Sequence, residues 1–224
     1  MILNIIHSFI ENFAHPKGLL GHVVAWRLDI SNRLSNEWTL SLLDIQPSDH
    51  ILEVGFGSGL TLKFAASKTP QGFVAGVDSS STMLKIAQKR NARLIATGRL
   101  ELKLGETEAL PYEDYQFDKV YAVQVINYLT DPIKGLKELY RVTKLGGRVA
   151  LFFEAKEKFK NIRDLIEGIY HPYDASEVIT MLREAGFYHA WIETKDFTAR
   201  KVHYIGHVAL GEKESIKPAM DTDA

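Results

Sequence analysis

The chain has 224 residues, 46% hydrophobic and 25% charged, a balance that suits one soluble domain large enough to bury a continuous core. Its formal net charge of −1 gives no bulk attraction to nucleic acid or to an anionic membrane. Cysteine is absent, which excludes disulfides, thiolate metal sites, iron–sulfur clusters and thiol nucleophiles by inventory.

The opening run MILNIIHSFIENF has no basic leader, and Asn4, His7, Glu11 and Asn12 interrupt its apolar residues. That is the pattern of neither a signal peptide nor a membrane span, so a cytoplasmic location is expected. Ile2, Ile5, Ile6, Phe9, Ile10 and Phe13 recur at helical spacing and predict an amphipathic helix over 2–13. His15-Pro16-Lys17-Gly18 ends it, one or two further helices are expected over 22–45, and Pro47-Ser48-Asp49 turns the chain into the first strand.

From there strand and helix patterns alternate. Strands are predicted over 50–55, 73–78, 100–105, 117–124 and 147–154, with helices over 59–68, 80–96 and 131–145. Such alternation indicates a parallel sheet with helices on both faces. In the last of these helices Asp131 serves as cap, Pro132 takes the first position, and Ile133, Leu136, Leu139, Tyr140 and Thr143 form the buried stripe. Gly146 and Gly147 are expected to end it. Further helices are read over 157–169 and 174–185, then two strands over 189–197 and 203–211 joined closely enough to pair antiparallel, and a polar tail over 212–224.

The stretch ILEVGFGSGL, residues 51–60, carries glycines at 55, 57 and 59 directly behind an apolar strand. A strand that ends in glycines and enters a helix presents unpaired backbone N–H groups to a polar or anionic ligand group. A tight structural turn is the competing reading. FVAGVD ends at Asp78, nineteen residues after Gly59, near the spacing at which an acid meets a ribose in nucleotide-binding βαβ units. Asp78 could instead cap the next helix, although Ser79, Ser80 and Ser81 already offer caps.

The glycines are spaced G-x-G-x-G rather than G-x-G-x-x-G, with Glu53 two positions before the first. This E-x-G-x-G-x-G pattern resembles the class I S-adenosylmethionine-dependent methyltransferases, in particular small-molecule enzymes of the ubiquinone/menaquinone-biosynthesis type. The likeness covers roughly residues 48–154 and rests on several motifs in order. It implies a Rossmann-like, seven-stranded, mostly parallel sheet with an antiparallel terminal strand. Domain boundaries follow at 1–47 (a helical extension acting as a lid, with Phe9, Phe13, Trp26 and Trp38 available as apolar walls), 48–211 (the methyltransferase domain) and 212–224 (the tail).

The same resemblance implies S-adenosyl-L-methionine as cofactor and S-adenosyl-L-homocysteine as product. Glu53, Gly55, Gly57 and Gly59 then approach the amino-acid moiety of the cofactor, and Asp78, followed by Ser79 in the run DSSSTML, meets the ribose. Met83 lies against the adenine, unless it is plain core. LGETEALPY resembles G-D-A-E-x-L-P, which places Glu106 and Thr107 at the adenine edge, here with Glu and Thr replacing the usual Asp and Ala. FDKVYAVQVINYL resembles the fourth-strand motif and sets Gln124, Asn127 and Tyr128 toward the methionine portion and the acceptor. ELYRVTKLGGRVAL resembles E-x-x-R-V-L-K-P-G-G, with Leu145 in place of the usual proline.

A sulfonium methyl is already activated, so no nucleophilic side chain is required, and a general base helps only some acceptors. His171, in IYHPYDASEV, is the candidate base, against a bland reading in which His171-Pro172 merely ends a helix. Tyr140 and Lys144 reproduce the Y-x-x-x-K spacing of short-chain dehydrogenases, but Tyr140 falls in an apolar helix stripe and the glycine spacing is wrong for a dinucleotide. No metal site is expected. Cytosine-C5 and arsenite methylation of the usual kinds need thiols, the loop Asn127-Tyr128-Leu129-Thr130-Asp131-Pro132 lacks the paired prolines of base amino-methylases, and no basic domain is added for nucleic acid. The expected partner is a small-molecule acceptor, with no nucleic acid and no membrane span. The competing functions are a fold relative that binds the cofactor without methyl transfer, such as a non-catalytic subunit or an aminopropyl transferase, and an NAD-dependent oxidoreductase.

Overall fold

A computed structural model of the chain describes residues 33–157, 170–199 and 202–215. The helix predicted over 2–13, the first part of that over 22–45, almost all of that over 157–169, and the tail beyond 215 lie outside the described residues.

Seven strands form one sheet in the order β3-β2-β1-β4-β5-β7-β6. They are β1 (His50–Val54), β2 (Phe73–Asp78), β3 (Leu100–Leu104), β4 (Phe117–Val123), β5 (Thr143–Glu154), β6 (His189–Ala199) and β7 (Val202–Glu212). β1 pairs parallel with β2 and β4, and β3 and β5 extend the parallel set. β7 pairs antiparallel with both β5 and β6, so the antiparallel strand is last in the chain but not at the edge of the sheet. Chain order reverses between β1 and β4, and the crevice beyond their carboxyl ends is where open α/β sheets hold ligands.

Side chains alternate across β1, and this divides the core into two layers. Leu52 and Val54 face Leu136, Leu139 and Val142 of α5 (Pro132–Val142) and Val178 and Leu182 of α6 (Ala175–Glu184). On the opposite face Ile51 packs with Leu40 of α1 (residues 33–41), Leu62 and Ala65 of α2 (Leu62–Lys68) and Ala87 of α3 (Ser81–Arg90). Among the described residues no helix is long and apolar enough to cross a membrane.

The structure corrects several boundaries. The helix predicted over 80–96 divides into α3 and α4 (Ala92–Ala96) at Asn91, whose backbone leaves the helical region (φ −109°, ψ 18°). α5 ends at Val142 rather than at the glycines, because Thr143 joins the sheet opposite Phe117 and its hydroxyl donates back to Leu139 O at 2.6 Å. Gly146, at φ +75°, instead lies in a register shift of β5 between the Thr143 and Arg148 pairings. Order also continues past 211: β7 runs through Glu212, and Lys213 is 2% exposed. The Lys213 ammonium donates to Tyr140 O at 2.6 Å and Thr143 O at 2.9 Å, between the rings of Tyr115 and Tyr140. It thereby places a cation on the carbonyl end of α5, where the helix dipole favours one.

Candidate functional site

β1 ends at Val54, and the glycine loop that follows sits at the switch point. Gly55, Gly57 and Gly59 all have positive φ (+73°, +52° and +72°), which L side chains adopt only at a cost. Their surroundings separate their roles. A Cβ on Gly55 would lie 2.4 Å from Val125 Cγ2, and one on Gly59 2.7 Å from Ala87 Cβ, so close packing of the segment after β4 and of α3 requires both glycines. A Cβ on Gly57 would meet nothing within 4 Å, so its bare backbone faces open space. α3 clamps the loop from below: Arg90 Nη1 donates to Ser58 O at 3.3 Å and to the Ser58 hydroxyl, and Asn91 Nδ2 donates to Gly59 O at 2.9 Å.

Asp78 ends β2 beside this loop. One carboxylate oxygen accepts the Gly57 N–H at 2.8 Å and the other accepts the Ser80 N–H at 2.8 Å. Ser80 caps α3 by accepting the Met83 N–H, so the cap belongs to Ser80 and Asp78 ties the loop to the helix start. Ser79 is exposed, whereas Met83 is buried at 1% exposure.

Glu53 lies behind the loop, 3% exposed, where its carboxylate accepts the Thr61 hydroxyl at 2.6 Å and the Tyr121 hydroxyl at 2.7 Å. Burial pushes its carboxyl up to about 7; the two hydroxyl hydrogen bonds oppose the rise and the nearby Asp78 charge adds to it. Burial, with Glu53 alongside, also drives the Tyr121 phenol well above its ordinary value.

After β3, Glu106 is exposed and Thr107 half-buried, with the Thr107 methyl close against Gly135 of α5. Arg141 on α5 fastens the far side of this loop, donating to Leu110 O at 3.0 Å, Tyr112 O at 2.8 Å and the carboxylates of Glu138 and Asp114. Glu138 in turn accepts the Leu110 N–H at 2.7 Å. The E-x-x-R spacing in ELYRVTKLGG is the sequence signal for this clamp.

Beyond β4, Gln124 takes φ +61°, a conformation that costs a non-glycine residue about 1–3 kcal/mol and concentrates at functional sites. Its Oε1 is buried with no hydrogen-bond partner among the described residues. Asn127, fully buried, accepts the His171 N–H on its backbone oxygen at 2.7 Å, and its Nδ2 donates to His171 O at 2.8 Å. This latch ties the segment before α6 to the end of β4 and holds Tyr170 edge-on to Tyr128, ring centroids 5.0 Å apart. Burial pushes the Tyr128 phenol up to about 12, with the charge of Glu154 adding to the rise. The His171 imidazole itself is exposed.

The Y-x-x-x-K pair is structural. Tyr140 packs edge-on against Phe187, and Lys144 pairs with Asp118 at 2.8 Å. The arrangement as a whole offers an open backbone cradle, an adjacent carboxylate, and a polar-aromatic wall over the carboxyl ends of β1, β2 and β4.

Comparison with known proteins agrees with this geometry. The profile of the family described as "Methyltransferase domain" matches residues 52–151. The chain is 32% identical over 139 residues to "Uncharacterized methyltransferase YdaC" of Bacillus subtilis, covering 62% of this chain and 72% of that protein. It is 28% identical over 169 residues to "Ubiquinone/menaquinone biosynthesis C-methyltransferase UbiE" of Geotalea daltonii, covering 75% of this chain and 69% of that one. A solved structure of a SAM-dependent methyltransferase from Aquifex aeolicus superposes with a TM-score of 0.63 at 23% identity, over 83% of this chain and 96% of that one, and so shares its fold.

Proposed function

Because the chain belongs to the class I S-adenosylmethionine-dependent methyltransferases, we propose that it moves the donor's methyl group by direct in-line displacement to a small-molecule acceptor over the ends of β4 and β5. The observation that carries this reading is the open, positive-φ Gly57 beside Asp78 at the switch point.

The residues present fit the donor. A Cβ at Gly57 would project into the open space beside the loop, and the buried Gln124 Oε1 has no partner among the described residues. Glu53, Gly55, Gly57 and Gly59 would hold the amino-acid end, Asp78 with Ser79 the ribose, Met83, Glu106 and Thr107 the adenine, and Gln124 the side toward the acceptor. When bound, S-adenosyl-L-methionine supplies an activated sulfonium methyl and leaves as S-adenosyl-L-homocysteine. The work left to the protein is alignment and exclusion of water, and well-oriented reactants recover about 7–11 kcal/mol of barrier.

Tyr128 and Tyr170 give the acceptor side an aromatic wall, and their phenols stay protonated at neutral pH. A relative named for C-methylation in ubiquinone and menaquinone biosynthesis supports a quinone-type ring as acceptor. His171 is placed on this side by the Asn127 latch and is the candidate base for an acceptor that must lose a proton.

Calorimetry with S-adenosylmethionine, S-adenosylhomocysteine and NAD tests the donor site, and binding of NAD alone would overturn the reading. Mass-spectrometric screening of a metabolite extract for products heavier by one CH2 tests the acceptor class, which a nucleic-acid product in place of a small molecule would refute.

A further inference from the structure

The Glu53 carboxyl is closed off from water at the base of the glycine loop. Its partners are the hydroxyl of Thr61, which precedes α2, and the hydroxyl of Tyr121 on β4. Among the described residues no Lys, Arg or His contacts it. The nearest charge acting on it is Asp78 on β2, also an anion. Arg90 on α3, which reaches the loop, donates to Ser58. A buried carboxylate with no counter-cation is costly, so such a group tends to keep its proton until a positive charge arrives.

We infer that Glu53 is a charge-sensing residue that favours the cationic donor over its neutral product, losing its proton when the donor binds and regaining it once the methyl has gone. The inference rests on the proposed methyl-donor site. S-adenosylmethionine carries a sulfonium charge that S-adenosylhomocysteine lacks, while the adenosyl and amino-acid parts of the two are alike. Both ligands bring the same α-ammonium and α-carboxylate to the loop, but the donor adds the sulfonium charge, so it stabilises ionised Glu53 more than the product does and sends more of its proton to solvent. Linkage then makes donor affinity rise with pH through the range in which Glu53 titrates, more steeply than product affinity. Each unit by which the donor lowers the Glu53 pKa multiplies the donor's relative affinity by ten once the free site is ionised. Burial that holds the free carboxyl near neutrality puts the upper end of this window near pH 7, with the rise lying below it. The device weakens product retention without any moving part.

Titration calorimetry of the whole chain with S-adenosylmethionine and with S-adenosylhomocysteine, at pH 6, 7 and 8 in phosphate and in Tris, reads both affinity and proton release. The expected result is a donor-to-product affinity ratio that rises at least threefold from pH 6 to pH 8. More protons should be released per donor than per product at pH 7, and both effects should disappear in Glu53→Gln. Tyr121→Phe removes one hydroxyl donor from the carboxylate and should shift the window to higher pH, which keeps the idea testable if Glu53→Gln does not fold. A flat ratio with both ligands bound, or a slope that survives in Glu53→Gln, overturns the inference and leaves the donor site standing. Failure of both ligands to bind overturns the donor site and this inference with it.

Discussion

The three loop glycines look interchangeable in sequence, yet alanine at 57 and alanine at 59 should fail in different ways. Gly57→Ala puts a side chain at φ +52° with nothing within 4 Å of the new Cβ. It should cost only the left-handed strain, about 1–2 kcal/mol, and leave a cooperative fold. Gly59→Ala adds to similar strain a Cβ placed 2.7 Å from Ala87 Cβ and 2.8 Å from Asn91 Nδ2. Overpacking of that kind typically adds about 1–3 kcal/mol, for a total of about 2–5 kcal/mol out of the 5–15 kcal/mol that holds an ordinary domain. Urea melts should therefore place Gly59→Ala well below Gly57→Ala. Calorimetry should rank them the other way for function, with Gly57→Ala losing S-adenosylhomocysteine affinity by tenfold or more while still folded. Wild-type affinity in a folded Gly57→Ala would show that this backbone does not face the ligand, and equal melts for the two variants would show that Gly59 is not a packing glycine.

Asp78→Asn keeps an oxygen to accept from Gly57 or Ser80 but removes the charge. S-adenosylhomocysteine should then bind tenfold or more weakly, as expected for losing a charge-assisted hydrogen bond of about 1.5–3 kcal/mol, and unchanged affinity would reassign Asp78 to holding the loop. Lys213→Met strips two donors from the carbonyl end of α5 and should lower stability by about 2–4 kcal/mol, with S-adenosylhomocysteine affinity per folded molecule preserved. A melt within 0.5 kcal/mol of wild type, the range of about ±0.5 kcal/mol that neutral surface changes occupy, would remove that role. Asn127→Ala breaks the side-chain half of the latch to His171. Hydrogen exchange at the His171 amide should accelerate while S-adenosylhomocysteine affinity stays within twofold; exchange as slow as wild type would mean that the segment is held by something else.

The strands and the place of the glycine loop at the end of β1 were legible because their causes are local. β2 falls at the predicted residues, 73–78, and β1 and β3 end one residue short of theirs, since short apolar runs bounded by turn residues leave little choice of period. Spacing singled out the glycine loop and Asp78, and the structure adds that Asp78 bonds the loop, which glycines pack and which stays open. The start of α5 was legible in Asp131 and Pro132, but its end was not. Thr143 fits the apolar stripe of α5 as well as the start of β5, and its pairing with Phe117 decides between them. The long-range hydrogen bonds were missed for the same reason, that of Asn127 included, although its motif had marked it for the site. Asn91 reaches a carbonyl 32 positions away, Arg141 one 29 away, Asn127 one 44 away and Lys213 one 70 away. Nothing in the neighbouring sequence of Asn91, Asn127 or Lys213 announces such a partner, although the E-x-x-R spacing does announce that of Arg141.

The most direct measurement is a crystal structure of the chain grown with S-adenosylhomocysteine. Ligand density in the crevice between the Gly55–Gly59 loop and Gln124, with the ribose at Asp78, is the predicted result. Density anywhere else on the sheet, or a crevice that stays empty at saturating ligand, would contradict the assignment of this loop to the methyl donor.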